Sequence, residues 1–181
     1  IRSGGSVSGG TAGIQVLHTG GRAANGTIRN SLLTGHKKNI GSAVDALPIT
    51  SVTRAEAEAY AAWLGAQRKA VVRLPTEDEW EYAARGGVDG APWPWGWHAP
   101  EGRARYATNG PTAVASYPSN PLGLHDLAGN VAEWCADADV IRGGSWADRD
   151  PDSLHVYRRA AVPPGYRDAD TGFRLLQAPA P

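Results

Sequence analysis

Two stretches of this chain carry a helical rhythm of apolar and polar positions. At Thr53-Arg54-Ala55-Glu56 a hydroxyl at the N-cap is followed three residues later by a carboxylate. Such a capping box stabilises a helix start by about 1 kcal/mol. Tyr60, Trp63 and Leu64 then fall on one face, and Gly65 is the expected end. Thr76-Glu77-Asp78-Glu79 repeats the device, with Trp80, Ala83 and Ala84 as the apolar stripe and Gly86-Gly87 as the stop. Carboxylates in a first turn complement the helix dipole, so Glu77, Asp78 and Glu79 are expected to cap and solvate the helix rather than to form a catalytic pair. Outside these helices the pattern is short. Ile14-Gln15-Val16-Leu17 and Thr27-Ile28-Arg29 read as two strands around a turn at Asn25-Gly26, after a Gly/Ser-rich, flexible start. Past Gly87, Pro92-Trp93-Pro94-Trp95-Gly96-Trp97 alternates aromatics with breakers, which suits tryptophans closing a core beneath loops. Val131 and Trp134 are expected to be buried, Val140-Ile141 and Leu175-Leu176 to be short strands, and residues 177–181 to be a tail.

The last quarter lacks periodicity altogether. Arg142-Gly143-Gly144-Ser145-Trp146 opens a segment that Gly172-Phe173-Arg174-Leu175 closes, and the residues between are rich in Arg, Asp, Pro and Tyr. Irregular polar filling in a rigid frame marks a binding or a catalytic surface.

Composition narrows the classes. A chain of 181 residues suits one domain, with or without an added arm. Lys plus Arg equal Asp plus Glu at 18 each, so no global field draws in nucleic acid or an anionic membrane. No apolar run approaches the roughly 20 residues of a membrane span. The single cysteine, Cys135, excludes an internal disulfide framework and reads as a small buried hydrophobe. A reducing, cytoplasmic location is the default expectation; because the chain starts at Ile1 and has no Met, export or surface display follows if a leader was removed. The five histidines, His18, His36, His98, His125 and His155, show no i, i+4 pairing of the kind a metal site uses. With 23 Gly, 13 Pro and seven Trp against one Phe, many turns must be stabilised by few aromatic anchors.

Five motifs, RLPTEDEWEYAARGG (residues 73–87), PWG (94–96), GLHDLAGNVAEWC (123–135), RGGSW (142–146) and GFRL (172–175), stand in the order found in the formylglycine-generating enzyme, or sulfatase-modifying factor, family. The resemblance covers residues 47–176 and implies an α+β, C-type lectin-like fold: two helices, a small twisted antiparallel sheet and a high loop content. Residues 1–46 are an N-terminal arm outside it, and 147–171 form its C-terminal binding segment. In the enzymes of this family the implied chemistry is copper-dependent oxidation of a substrate cysteine by two cysteines after the Gly-Gly-Ser motif. Asp148 and Ser153 stand at the matching positions and offer no soft thiolate. The chain is therefore expected to be non-enzymatic, with no catalytic cofactor.

The chain also resembles the variable proteins of diversity-generating retroelements, which share the closing bracket without the cysteines. That branch implies recognition of a protein or other macromolecular ligand through displayed side chains. The expected set is Ala147, Asp148, Arg149, Asp150, His155, Tyr157, Arg158, Gly165, Tyr166, Asp168 and Asp170, with Arg159, Arg167 and Arg174 as framework and Leu154 and Pro163 as packing. Tyr and Arg are favoured contact residues because they combine area with a polar tip. The resemblance further implies a structural Ca²⁺ on Asp126, Gly129, Val131 and Glu133, an all-oxygen set of the kind that ion takes; the alternative is that Asp126 and Glu133 only hydrogen-bond their turn. A catalytically degenerate accessory or sensor domain is the alternative function.

Overall fold

The computed structural model describes residues 15–17 and 47–177, the first three as backbone only. Strand β1 (Gln15–Leu17) is one of the two expected N-terminal strands; the other and its Asn25-Gly26 turn lie outside the described residues. Helix α1 (Arg54–Arg68) starts at Thr53, whose side chain accepts the Glu56 amide while Glu56 reaches back to the Thr53 amide at 2.8 Å. It passes through Gly65 and ends at Lys69, which takes the left-handed conformation at φ 52°. Gly65 serves packing instead of termination: a Cβ there would lie 2.8 Å from the Ala70 carbonyl oxygen. Of the expected apolar face, Leu64 is buried, Tyr60 half-buried and Trp63 exposed. β2 (Val72–Arg73) leads into α2 (Glu77–Arg85), which has the second capping box at Thr76 and Glu79 and a left-handed Gly86 at its end. Trp80, Ala83 and Ala84 are buried, as their spacing predicts.

The strands form two small sheets. β1, β7 (Leu175–Gln177) and β2 make an antiparallel sheet with β7 central, so Gln177 belongs to a strand. The second sheet runs in the order β5 (Arg159–Ala161), β4 (Val140–Arg142), β3 (Ala132–Trp134), β6 (Thr171–Gly172). Its β3–β6 pair is parallel, so the sheet is mixed where antiparallel pairing is expected from the family likeness. β6 reaches β3 after a long polar excursion and therefore arrives in the same direction as β3.

Three apolar clusters hold these pieces. Ala57, Ala61 and Leu64 of α1 pack on Leu74, Trp134, Ile141, Phe173 and Leu175. Trp80 and Ala84 of α2 close over Leu127, Cys135 and Val156. Ala104, Ala128 and Leu154 pack beneath the half-buried Trp93, Trp95 and Tyr106, while Trp97 is exposed. Truncating an anchor such as Trp80 to alanine costs about 3–5 kcal/mol.

Candidate binding surface

The segment between the brackets is tied down by backbone. β4 ends at Gly143 and Gly144, whose φ of 92° and 65° an L-residue rarely adopts. A Cβ on Gly144 would come within 2.7 Å of Leu154 Cδ2 and 2.9 Å of the Ser153 oxygen, so this bend is shaped by the 3-10 turn Pro151–Leu154 lying on it. The chain then runs between two neighbours: Trp146 N–H donates to the Asn130 oxygen, while the Ala107 and Thr108 amides donate to the Asp148 and Trp146 oxygens. Asp150 caps the 3-10 turn by accepting the Asp152 amide at 3.0 Å. At the far end the Asp168 oxygen accepts from Ser51 N–H and the Asp170 oxygen from Ala132 N–H.

The framework arginines act through carboxylates. Arg159 pairs with Glu77 at 2.8 Å and Arg167 with Glu56 at 3.1 Å. Buried Arg142 lies over the Trp80 ring, 5.4 Å from its centroid, and pairs with Glu81. Leu154 is fully buried, as expected for packing, whereas Pro163 is exposed.

On this frame Ala147, Arg149, Asp150, Tyr157, Arg158, Gly165 and Asp168 are exposed, and Asp148, Tyr166 and Asp170 are half-buried. His155 is the exception. It is turned inward against Trp93 at a centroid distance of 4.9 Å, and its Nδ1 shares a 2.7 Å hydrogen bond with the Tyr157 hydroxyl. Its contribution to a surface is therefore to set the ring of Tyr157, which is 50% exposed.

Beside the exposed side chains the segment walls a cleft of about 200 Å³, whose lining includes Arg142 and Arg159. Ala132, Ile141 and Ala160 line it, together with Ser145, Asp148, Ser153, Arg158 and Asp170. Asp148 and Ser153, the positions matched to the family's cysteines, thus both face this space. Ser145 donates to Asp170 Oδ2 at 2.7 Å or to Asp148 Oδ2 at 3.1 Å, and the Asp148 oxygen also accepts the Ser145 amide. Ser145, absent from the expected binding set, is the residue that joins the two carboxylates; its place directly after two glycines is the signal that could have found it. Tyr166 packs edge-on against Trp134 at 6.1 Å. Burial raises its pKa, and Asp170, Asp168 and Asp148 raise it further against a hydrogen bond with Thr171.

At the turn expected to hold calcium, Glu133 is paired with an arginine. Glu133 and Arg174, each 1% exposed, form a bidentate pair, with Arg174 Nε on Oε2 and Nη2 2.6 Å from Oε1. Trp80 Nε1 donates to the same carboxylate at 2.7 Å. Arg174 Nη2 also donates to the carbonyl oxygen of His125 at 3.1 Å. Asp126 accepts the Ala115 amide at 2.7 Å; burial raises its pKa, against that hydrogen bond and Arg174. Val131 and Gly129 are buried, and Gly129 sits where a Cβ would collide with the Arg105 oxygen. Cys135 is fully buried, and burial pushes its thiol up to about 12, so it is chemically inert in the folded chain.

Two capped helices, two small sheets and a long polar segment pinned by backbone define a C-type lectin-like domain of the formylglycine-generating type. The chain belongs to the family described as the sulfatase-modifying factor enzyme 1-like domain, whose model matches residues 16–179. That match reaches back past residue 47 into β1. Among curated relatives it is 38% identical over 154 residues to a serine/threonine-protein kinase pkn1 of Chlamydia pneumoniae, covering 72% of this chain and 24% of that one. It is likewise 38% identical over 158 residues to an inactive C-alpha-formylglycine-generating enzyme 2 of Mus musculus, covering 73% and 49%. The chain thus spans between a quarter and a half of these relatives' length. Among solved structures, Treponema denticola variable protein 1 matches with a TM-score of 0.71 and 26% identity, over 83% of this chain and 78% of that one. Among the described residues no helix is long and apolar enough to cross a membrane.

Proposed function

We propose that this domain is a non-enzymatic ligand-binding module of the retroelement variable-protein kind, recognising a protein or other macromolecular surface through residues 147–170. The observation that carries the reading is the division of labour along that segment. Its position is held by main-chain hydrogen bonds and two arginine–carboxylate pairs, Arg159–Glu77 and Arg167–Glu56, while Arg149, Tyr157, Arg158 and Asp168 project from it. Side chains that a fold does not use are the ones a binding surface can vary. The likeness to a variable protein and to an inactive enzyme supports the same direction. The test is the flanking genome: a neighbouring reverse transcriptase with a near-repeat of the coding segment for residues 147–171 is expected, and its absence overturns the reading. Incubation with copper and a cysteine peptide is expected to give no aldehyde. The second reading, a degenerate accessory or sensor domain, draws on the greater length of the kinase relative.

We infer that calcium does not fit the four expected oxygen positions as they are arranged. Glu133 already has a cation at bonding distance on both oxygens, and the same guanidinium takes a carbonyl of the neighbouring turn. Adding chelator is expected to leave the melting temperature unchanged, because a ligand that binds only the folded state would raise it. A fall of several degrees would return the ion to Asp126, Gly129, Val131 and Glu133.

A further inference from the structure

The two edges of the mixed sheet differ in what lies along them. β6 is buried, and a Cβ on its Gly172 would collide with the Ile49 carbonyl oxygen. Ser51 N–H donates to the Asp168 oxygen, so the chain at 49–51 covers this edge. β5, at the other end of the order, has all three residues exposed. Its register with β4 decides where its backbone groups point. Val140 pairs with Ala161, Ile141 with Ala160 and Arg142 with Arg159. Carried on by one residue, the same register sets Val162 opposite Asp139, and Val162 N–H donates to the Asp139 oxygen at 2.9 Å. Bonded and non-bonded pairs alternate along an antiparallel ladder, so Ala160 turns its amide and carbonyl to β4 while Arg159 and Ala161 turn theirs outward. β4 agrees from its other side: Cys135 N–H donates to the Val140 oxygen, which leaves Ile141 to face β5. Among the described residues the outward N–H and C=O groups of Arg159 and Ala161 have no hydrogen-bond partner. A row of unpaired backbone groups is a template for one more strand.

Side chains decide which strand. Ala160 and Ala161 are small and leave the backbone open to approach, and from Arg158 to Val162 the strand carries two arginines and no carboxylate. Arg159 is paired with Glu77, whereas Arg158 is exposed and has no ion-pair partner among the described residues. Asp148 and Asp170 line the neighbouring cleft but lie beyond ion-pair distance of it and are held by Ser145. A second copy of this chain would bring the same edge. Paired two-fold about Ala160, it would set Arg158 and Arg159 of both copies along one short seam, like charge beside like. A strand with carboxylates meets no such conflict. We propose that the open edge of β5 takes an extended acidic segment of the protein ligand as an added strand, bonded to the backbone of Arg159 and Ala161 and drawn by Arg158. Main-chain pairing is indifferent to the side chains around it, so it gives a fixed anchor beside a surface that varies. This names the kind of partner and rests on the display reading above.

The test uses the whole chain, a short end-blocked peptide of alternating valine and glutamate as probe, and amide NMR with hydrogen exchange at constant ionic strength. Saturable shifts are expected at residues 158–162, with slowed exchange of the Arg159 and Ala161 amides. The same peptide N-methylated at every residue keeps the charges but has no N–H to give, and should not bind. Ala161→Pro removes one outward N–H that the ladder to β4 does not use, and should weaken binding about tenfold, the loss of one main-chain bond. Arg158→Glu should also weaken it, and should favour a peptide with lysine in place of glutamate. That variant carries the test should Ala161→Pro alter the fold, as judged by resonances outside residues 157–163. Slow exchange of the Arg159 and Ala161 amides in the dilute free chain would overturn the proposal, because the edge would already be filled. Slowing with protein concentration alone would overturn it by making the occupant a second copy. So would the absence of saturable shifts, equal binding of the N-methylated or lysine peptide to the unaltered chain, or unchanged affinity in both variants. Failure here is separable from failure of the display reading. A retroelement beside a gene whose product ignores the peptide sinks the edge alone, and peptide binding with no retroelement sinks the display reading alone.

Discussion

Glu79 is the residue whose several duties are easiest to separate by pH. It closes the capping box on Thr76 and takes both Nη atoms of Arg73, at 2.6 and 2.7 Å. The Arg73 hydrogen bond, with smaller help from the Thr76 amide, lowers its carboxyl from 4.5 to about 2. Protons therefore bind the unfolded chain more readily than the folded one between those values. The stability this group confers is complete above about pH 4.5 and is lost as pH falls toward 2. Glu79→Gln should lower the melting temperature at pH 7 and flatten its fall between pH 5 and 2, as followed by circular dichroism. Because the pair is largely solvated, a shift of a few degrees is the expected size. This residue was legible in advance, since a capping box is made by two side chains within four consecutive residues. The partners of Glu133 were not: they come from residues 80 and 174, and only the fold sets them beside one carboxylate.

Elements whose rules are local were readable in the same way, and those made by long-range pairing were not. Both N-caps, the Gly86 stop and the stripe of α2 follow from spacing. Gly65 misled because a glycine in a helical pattern reads as an end, while here it admits the carbonyl of the returning chain. The parallel β3–β6 pair is two residues long and carries no periodicity of its own. The Gly-Gly bend after β4 was visible as a bracket, but its reason, the 3-10 turn seated on Gly144, required coordinates. Gly144→Ala places a Cβ against Leu154 and the Ser153 oxygen at positive φ, so chemical denaturation should show a loss of about 2 kcal/mol or more. Gly165→Ala meets nothing within 4 Å and should cost only its φ strain, about 1 kcal/mol.

At the scale of the molecule, stability and recognition occupy different atoms. The apolar clusters, the two sheets and the arginine–carboxylate pairs lie outside the exposed set of Arg149, Tyr157, Arg158 and Asp168. Replacing those four together by alanine should therefore shift the melting temperature by no more than about 5 °C, since isolated surface changes stay near 0.5 kcal/mol each. A larger drop would mean that the segment holds itself up through its own side chains. The candidate surface could be located from the sequence because the brackets flank it. The cleft could not, because Ala132 and Ile141 come from the sheet and carry no polar signal.

The order β5-β4-β3-β6 also has a consequence for length. The polar segment leaves the sheet at β4, returns beside it as β5 and re-enters at β6, with β4 and β3 between the last two, so the stretch from β5 to β6 has anchor points about 14 Å apart whatever the chain does in between. Closing a loop across a fixed gap grows dearer only with the logarithm of its length, by about 0.6 kcal/mol for each doubling. Residues added between Val162 and Arg167 would lengthen an arch whose footings stay in place, so relatives with taller or shorter arches can share this one foundation.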